Sequence, residues 1–378
     1  MRILHIITSL HTGGAELMLK RLIESFQNDD NYQHYVISLT TIGSVGKELQ
    51  KLGVDVYAFE LNYSLNLPLQ LIRLIKKISS LHPDIVQTWM YHADLLGGLA
   101  AYLTGYRRII WGIRVTDIHS SSIITLWIRK LCALLSTLIP CKIICVAETA
   151  LQSHIEKGYD ADRMIVIQNG LNFSYLASSP DQRKILRLQC GFSNNTLVIG
   201  CLGRFDPIKD HHNFVSAARI ITEQYPNVYF LMVGRDLTPD NTILKKWIYK
   251  TGHNDRFVLL GQRNDVAVCL SAMDIFCLPS CIEGFPNALS EAMAMGLPCI
   301  STDVGDAGIM LGGTGVIVPK KNSKALADAL LQVIALSNEQ RNQMGRYAKE
   351  RVMSEYSIEN ARARFESVYQ EVISKSIQ

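Results

Sequence analysis

Glu283 and Glu291 bracket a run, Glu283-Gly284-Phe285-Pro286-Asn287-Ala288-Leu289-Ser290-Glu291, whose residue types suit sugar and phosphate chemistry. The apolar stretch from Asp274 to Pro279 before it reads as a buried parallel strand. Residues 288–295 after it have helical spacing and good helix formers, closed by Gly296 and then Pro298. Pro286 suits a first helical position, where a missing N–H costs nothing. Glu283 then sits in the loop at a strand's carboxyl end, the edge where open α/β sheets take ligands. Glu291 falls roughly 7 Å along the helix axis. Between the two carboxylates lies a helix N-terminus, whose N–H groups and dipole favour a phosphate. Two hydroxyl-binding carboxylates around a phosphate site suit a ligand built of ribose, diphosphate and hexose. Either glutamate alone reads as ordinary surface charge; the whole stretch in its strand–loop–helix setting does not.

Arg204 and Lys209 lie in the loop after the apolar run 197–202. Two cations there suit the neutralisation of a leaving diphosphate, the main electrostatic task in cleaving a sugar–phosphate bond. Arginine offers a bidentate fork and lysine a point charge; taken alone, the pair fits a solvated loop equally well. Gly13 and Gly14 follow the first apolar run, where backbone must approach a ligand closely or bend. A dinucleotide site is excluded, because the glycine spacing is wrong and residues 35–41 contain no carboxylate. The Asp160-Ala161-Asp162 pair precedes a strand-like run rather than following one, and reads as a solvated turn. The 9 cysteines lack metal-knuckle spacing and are not accompanied by a histidine pair, so reduced structural thiols in the cytoplasm, and no metal site, are expected.

The elements that must position these residues alternate throughout, short apolar runs with amphipathic helical stretches, the pattern of βαβ units on parallel sheets. Strands are predicted over 3–8, 35–39, 55–59, 85–87, 109–113, 143–146 and 164–167, and again over 197–202, 228–233, 257–260, 274–278, 299–301 and 315–318. The polar stretch 169–181 is the boundary, and residues 358–374 form a final amphipathic helix. The fold class is α/β, two facing doubly wound Rossmann-like domains with a cleft between them. A chain of 378 residues is too long for one ordinary core and agrees with two domains.

A formal net charge of +4 does not imply nucleic acid. Between about 61 and 145, however, basic residues outnumber acids, which suits an anionic membrane surface. Leu67 to Leu81 and Trp127 to Lys130 offer an apolar, basic patch there; a core-packed helix with a solvated face explains the first equally well. The apolar segment 123–147 is interrupted by Arg129, Lys130 and Pro140 and falls short of a membrane span. The N-terminal run is too short for a signal peptide. A cytoplasmic chain is expected, soluble or peripheral on the inner membrane face.

Taken in order, four motifs resemble those of the family-4 retaining glycosyltransferases with the GT-B fold, such as those building bacterial surface polysaccharides. They are Gly13-Gly14-Ala15-Glu16, Ile167-Gln168-Asn169-Gly170-Leu171-Asn172, Gly203-Arg204-Phe205-Asp206-Pro207-Ile208-Lys209-Asp210, and the Glu283 run leading into Ala292-Met293-Ala294-Met295-Gly296-Leu297-Pro298. The resemblance covers nearly the whole chain. It implies an acceptor-binding domain over 1–172, a nucleotide-sugar-binding domain over 173–355, and a helix over 356–378 packing back on the first.

It also implies a hexosyltransferase that moves a sugar from a nucleotide diphosphate donor to a glycan hydroxyl with retention. A UDP-sugar is expected ahead of a GDP-sugar, and a polyprenyl-diphosphate-linked acceptor is expected, without metal or other cofactor. Glu283 would meet the donor sugar's hydroxyls, Glu291 the ribose, and Arg204 and Lys209 the diphosphate, with Glu283, Arg204 and Lys209 as the catalytic set. Gly13, Gly14 and the amides of Gly284, Phe285, Asn287 and Ala288 would flank the donor, Pro286 contributing none. Gly261 and Arg263 would hold the base.

In the first domain the pattern departs from the family. Arg114 stands where a histidine is common after strand 109–113, and Gln87 replaces another at the end of strand 85–87. His92, Asp94, Arg114 and Asp117 are the acceptor-side candidates, with His119 beside them. The competing readings are a nucleotide-sugar 2-epimerase of the same architecture and a non-catalytic subunit that binds a nucleotide-sugar or glycan.

Overall fold

The computed structural model describes residues 1–61, 67–116, 123–193 and 195–375, and it divides into two compact units, Met1–Gly170 with Ile358–Gln378, and Leu171–Ser357. The first carries a seven-stranded parallel sheet of β1 (Arg2–Ile7), β2 (Gln33–Ser38), β3 (Asp55–Ala58), β4 (Ile85–Trp89), β5 (Ile109–Ile113), β6 (Lys142–Cys145) and β7 (Met164–Val166), in the order β3-β2-β1-β4-β5-β6-β7. The second carries six parallel strands, β8 (Leu197–Leu202), β9 (Val228–Val233), β10 (Phe257–Gly261), β11 (Ile275–Leu278), β12 (Cys299–Thr302) and β13 (Val316–Val318), in the order β10-β9-β8-β11-β12-β13. Both sheets reverse direction once, between β1 and β4 and between β8 and β11. In a doubly wound sheet the crevice beyond the strands' carboxyl ends opens at that reversal.

Helices cover both faces, so the central strands read as continuous apolar runs rather than alternating ones. Ile3, Leu4, Ile6 and Ile7 of β1 are all fully buried, and so are β8's Val198 and Ile199. His5, also fully buried, interrupts β1 and is satisfied locally. The Trp89 indole N–H donates to His5 Nδ1 at 3.2 Å, which leaves the proton of His5 on Nε2, 2.9 Å from His34 Nδ1. The rings of His5 and His34 stack.

The helix Ile358–Ser374 belongs to the first unit although the chain reaches it from the second. Phe365 and Tyr369 are fully buried beside Trp89 and Phe26, and Val368 and Val372 nearly so. Such side chains stabilise the unit by roughly 2 kcal/mol each. Arg362 pairs with Asp29 at 2.6 Å, and the Tyr32 hydroxyl donates to Glu366 at 2.7 Å. The Tyr369 hydroxyl donates to Gln87 Oε1 at 2.5 Å. This last contact corrects the sequence reading of Gln87. β4 continues to Trp89, so Gln87 lies mid-strand, fully buried and away from the ligand edge.

All nine cysteines are free thiols. Among the described residues no helix is long and apolar enough to cross a membrane.

Candidate functional site

In the second unit the reversal between β8 and β11 gathers the strongest candidates. β8 ends at Leu202 and its loop turns through a short 3-10 helix, Pro207–Lys209. Asp206 caps that turn, accepting the Ile208 N–H at 3.1 Å, and Asp210 caps the following helix His211–Gln224 by accepting from Asn213 at 3.2 Å. Lys209, held between the two caps, reaches β11's loop. Its Nζ lies 2.6 Å from Glu283 Oε1, and the Ser280 hydroxyl donates to the same oxygen at 2.7 Å. The two side chains are 19% and 10% exposed, so the pair is largely withdrawn from water.

Arg204 stands in the same loop with Nε and Nη2 each 2.9 Å from Asp206 Oδ2, and remains 47% exposed. Burial works to raise the Asp206 pKa. The Ile208 N–H and the Arg204 and Lys209 charges outweigh it and hold the carboxyl below its usual range.

The Glu283 loop is held by neighbours that the sequence did not single out. Thr302, ending β12, donates its hydroxyl to the carbonyls of Leu278 and Ser280 at 3.2 and 2.5 Å. The Asp306 N–H donates to the Gly284 carbonyl at 3.1 Å. Gly305 between them has φ +50°, and a Cβ there would stand 2.2 Å from the Gly284 oxygen. Phe285 is buried against Tyr356, ring centroids 5.5 Å apart.

Pro286 proves to be the cap rather than the first helical residue, a correction of one position. Its ψ of 86° lies outside the helix Asn287–Ala294, and its carbonyl accepts from Leu289 and Ser290 at 3.0 and 3.2 Å. Asn287 and Ala288 therefore form the first turn, and Glu291 sits on the same short helix. The Tyr175 hydroxyl donates to Glu291 Oε1 at 3.0 Å, a partner the sequence reading missed. Tyr175 lies in the connection that sequence analysis treated as a linker, where the 3-10 helix Phe173–Tyr175 presents it.

The proposed base-side pair lies further along the sheet, at β10. Gly261 ends that strand at φ +65°, with its N–H bonded to Leu237 and its carbonyl accepting from Gly234. Arg263 is held in a two-point pair with Asp265, at 2.8 and 2.6 Å. That pairing holds its pKa above the ordinary value.

In the first unit, Gly13 caps the helix Gly14–Ser25, and the Glu16 carboxyl folds back over it. A Cβ at Gly13 would come within 2.4 Å of Glu16 Oε2, so any side chain there would push the Glu16 carboxyl aside. Burial raises the Glu16 pKa against the opposing Ser9 hydroxyl bond. Glu16, the acidic residue of the Gly13-Gly14-Ala15-Glu16 motif, is a site candidate that sequence reasoning misses.

β4 ends in Met90, whose φ of +74° and ψ of 154° form a strained turn into the helix Tyr91–Leu103. Such non-glycine conformations cost on the order of 1–3 kcal/mol and cluster at ligand edges. His92 is half-buried on that helix, which lowers its pKa.

Asp94 turns inward instead. It is 1% exposed and accepts from the Thr88 hydroxyl at 2.6 Å and the Gly112 N–H at 3.2 Å. The helix thus directs Asp94 onto β5, which removes it from the direct acceptor contacts. Burial raises its pKa to about 8 against the Thr88, Gly112 and Arg114 contributions.

Arg114, just past β5, lays its guanidinium over Trp89 at 4.4 Å, and its Nη1 donates to Asn169 at 3.3 Å. Its Nε and Nη2 are buried with no hydrogen-bond partner, and burial lowers its pKa to about 10. A buried guanidinium with two unfilled donors is suited to an anionic ligand. Asp117 and His119 lie outside the described residues. Asp160 caps the 3-10 helix Ala161–Arg163 and pairs with Arg163 at 3.1 Å, at the amino end of β7. Among the described residues no cluster of three or more His, Cys, Asp or Glu could hold a metal ion.

Comparison with known proteins gives the family. Residues 12–175 match glycosyltransferase family 4, and residues 182–351 match glycosyl transferases group 1. The chain is 28% identical over 277 residues to the UDP-Gal:alpha-D-GlcNAc-diphosphoundecaprenol alpha-1,3-galactosyltransferase of Escherichia coli, spanning 70% of this chain and 69% of that one. It is 25% identical over 384 residues to the capsular polysaccharide biosynthesis glycosyltransferase CapM of Staphylococcus aureus, spanning 98% of both. The crystal structure of Anabaena Alr3699/HepE in complex with UDP matches with a TM-score of 0.86 at 20% identity, over 98% of this chain and 100% of that one. The chain belongs to the family-4 glycosyltransferases and has their GT-B fold of two Rossmann-like domains.

Proposed function

We propose that this enzyme transfers a hexosyl group from a UDP-sugar to a hydroxyl of a lipid-linked glycan, with retention, during bacterial surface-polysaccharide synthesis. The observation that carries the reading is the preformed Lys209–Glu283 pair beside the N-terminus of helix Asn287–Ala294. An ammonium has three donors. One goes to Glu283, and the other two serve the donor's phosphate oxygens, together with Arg204 and the first-turn amides of the helix. Glu283 receives the sugar hydroxyls, and Glu291, oriented by Tyr175, receives the ribose.

The leaving diphosphate takes the bonding electrons as the anomeric carbon–oxygen bond breaks. Its oxygen then accepts the acceptor's proton on the same face, which keeps the configuration. Arg204 and Lys209 stabilise the charge that develops, without a metal. The names of the Escherichia coli and Staphylococcus aureus relatives support an acceptor on a diphosphate-linked lipid and a capsule-type product. Arg114, with two buried unfilled donors, is the group in the first unit best suited to an acceptor diphosphate.

Thermal melting with UDP, GDP and ADP, on the wild type and on Glu291→Ala, tests the donor side. A shift selective for UDP and weakened in the variant is expected; a folded protein shifted by none of the three overturns the reading. Arg114→Ala is expected to raise the acceptor KM at least about tenfold, as loss of a charged hydrogen-bonding group does. Unchanged turnover and acceptor KM would remove Arg114 from the site.

A further inference from the structure

The first unit carries an apolar surface that its own fold does not use. The helix Ile123–Leu135 buries Cys132 and Ala133. Its opposite side exposes Ile123 (73%), Trp127 (67%), Leu131 (43%) and Leu134 (76%), with Leu138 (55%) in the next turn. At 3.6 residues per turn these positions fall in one arc of roughly 80°, running about 16 Å from Ile123 to Leu134. Surface helices of water-soluble domains place polar residues there. Apolar side chains exposed together on one face, unlike ones scattered singly, point to an interaction surface.

The charge around the patch selects the partner. The helices Leu67–Leu81, Tyr91–Leu103 and Ile123–Leu135 pack side by side over one face of the first sheet. They carry Arg73, Lys76, Lys77, Arg129 and Lys130, and their one carboxylate is the buried Asp94. The Lys130 ammonium lies 5.4 Å from the Trp127 ring centroid, so a cation stands at the edge of the apolar arc. Leu69 and Ile72 extend the exposed apolar surface onto the first of these helices, whose Leu74 and Ile78 are core. A second copy of this face would set like charges against one another. An anionic lipid surface would take the cations at its headgroups and the tryptophan and leucines at the acyl boundary.

We propose that the outer face of helix Ile123–Leu135 is a bilayer-docking surface selective for anionic phospholipid, with Trp127, Leu131 and Leu134 inserted and the neighbouring lysines and arginines at the headgroups. This goes beyond the reaction proposed above and does not depend on which sugar is transferred.

The full chain mixed with phosphatidylglycerol-containing vesicles, and with vesicles of phosphatidylcholine alone, tests it by co-sedimentation. Binding to the first and not the second is expected, weakened by salt. Trp127→Asp combined with Leu134→Asp should lower partitioning at least about tenfold while leaving the melting temperature and its shift with UDP unchanged. In the wild type, lipids brominated near the headgroup should quench Trp127 fluorescence, which requires no variant to fold. The proposal is overturned by no binding to anionic vesicles, by equal binding to neutral ones, or by binding that the double variant retains. It is equally overturned if the chain proves to be a dimer that Trp127→Asp separates and that does not bind vesicles. Loss of the UDP shift with vesicle binding intact would count against the donor reading alone.

Discussion

Replacing Asp94 by asparagine tests how the first unit holds a carboxyl in its interior. Asp94 is 1% exposed, and burial raises its pKa from 3.8 to about 8, outweighing the Thr88 hydroxyl, the Gly112 N–H and the more distant Arg114. A carboxyl whose folded pKa lies above its unfolded one keeps a proton that the unfolded chain releases. Its contribution to stability is therefore complete below about pH 4 and is lost as pH rises towards about 8. Linkage gives a slope of about 1.4 kcal/mol per pH unit within that window, hence about 3 kcal/mol between pH 5 and pH 7. Asparagine keeps an oxygen to accept from Thr88 and Gly112 but does not titrate. The stability of wild type relative to Asp94→Asn should fall by that amount across the range, and the histidines, common to both proteins, cancel in the difference. Urea unfolding of both proteins at pH 5, 6 and 7 supplies the measurement. A difference that does not change with pH would refute the reasoning. So would a variant weaker by about 3–5 kcal/mol at every pH, the signature of an ionised carboxylate whose loss strands the Arg114 charge.

Gly305→Ala should destabilise the second unit by at least about 1 kcal/mol, because φ is +50° and the new methyl would meet the Gly284 carbonyl at 2.2 Å. The displaced Glu283 loop should lower kcat more than it raises the donor KM; an equally active, equally stable variant would show that the loop is not held there. Burial depresses the His5 pKa well below 6.5 and that of His34 to about 4, so the unfolded chain binds protons first as the solution is acidified. Stability should accordingly decline as pH falls from about 6.5 to about 4, and His34→Leu should reduce that slope in denaturation curves. An unchanged slope would place the acid sensitivity elsewhere.

The strands were legible because continuous apolar runs separated by helical spacing have few other readings in a chain of this size, and Ile109–Ile113, Leu197–Leu202 and Val228–Val233 fell on their expected bounds. Sequence alone ends β4 at Gln87 because a polar residue looks like a strand end, whereas Tyr369, 282 residues further along the chain, donates to its side-chain oxygen. Glu283, Lys209 and Glu291 were visible as residue types at informative places. Their holders were not: Ser280, Thr302, Asp306 and Tyr175 are small or common polar residues whose roles arise only when the sheet brings distant loops together. Asp94 shows the converse. An acidic residue in the first turn of a helix at the ligand edge resembles a ligand contact, and only the direction of its side chain makes it part of the core.

The return of helix Ile358–Ser374 to the first unit has a consequence for the order in which the molecule is made. The second unit is an uninterrupted piece of chain inserted into the first, and its two ends lie side by side. The Leu171 N–H bonds to the Tyr356 carbonyl at 2.9 Å, and Leu171 bridges Ser357. On the ribosome, synthesis passes through the first unit, completes the second, and only then supplies Phe365 and Tyr369 to the core around Trp89. The unit whose synthesis starts first is thus the last to close, and its apolar floor stays open until helix Ile358–Ser374 has been made. A chain cut within helix Ile358–Ser374 would lose core from the N-terminal unit and leave the unit next to the break intact.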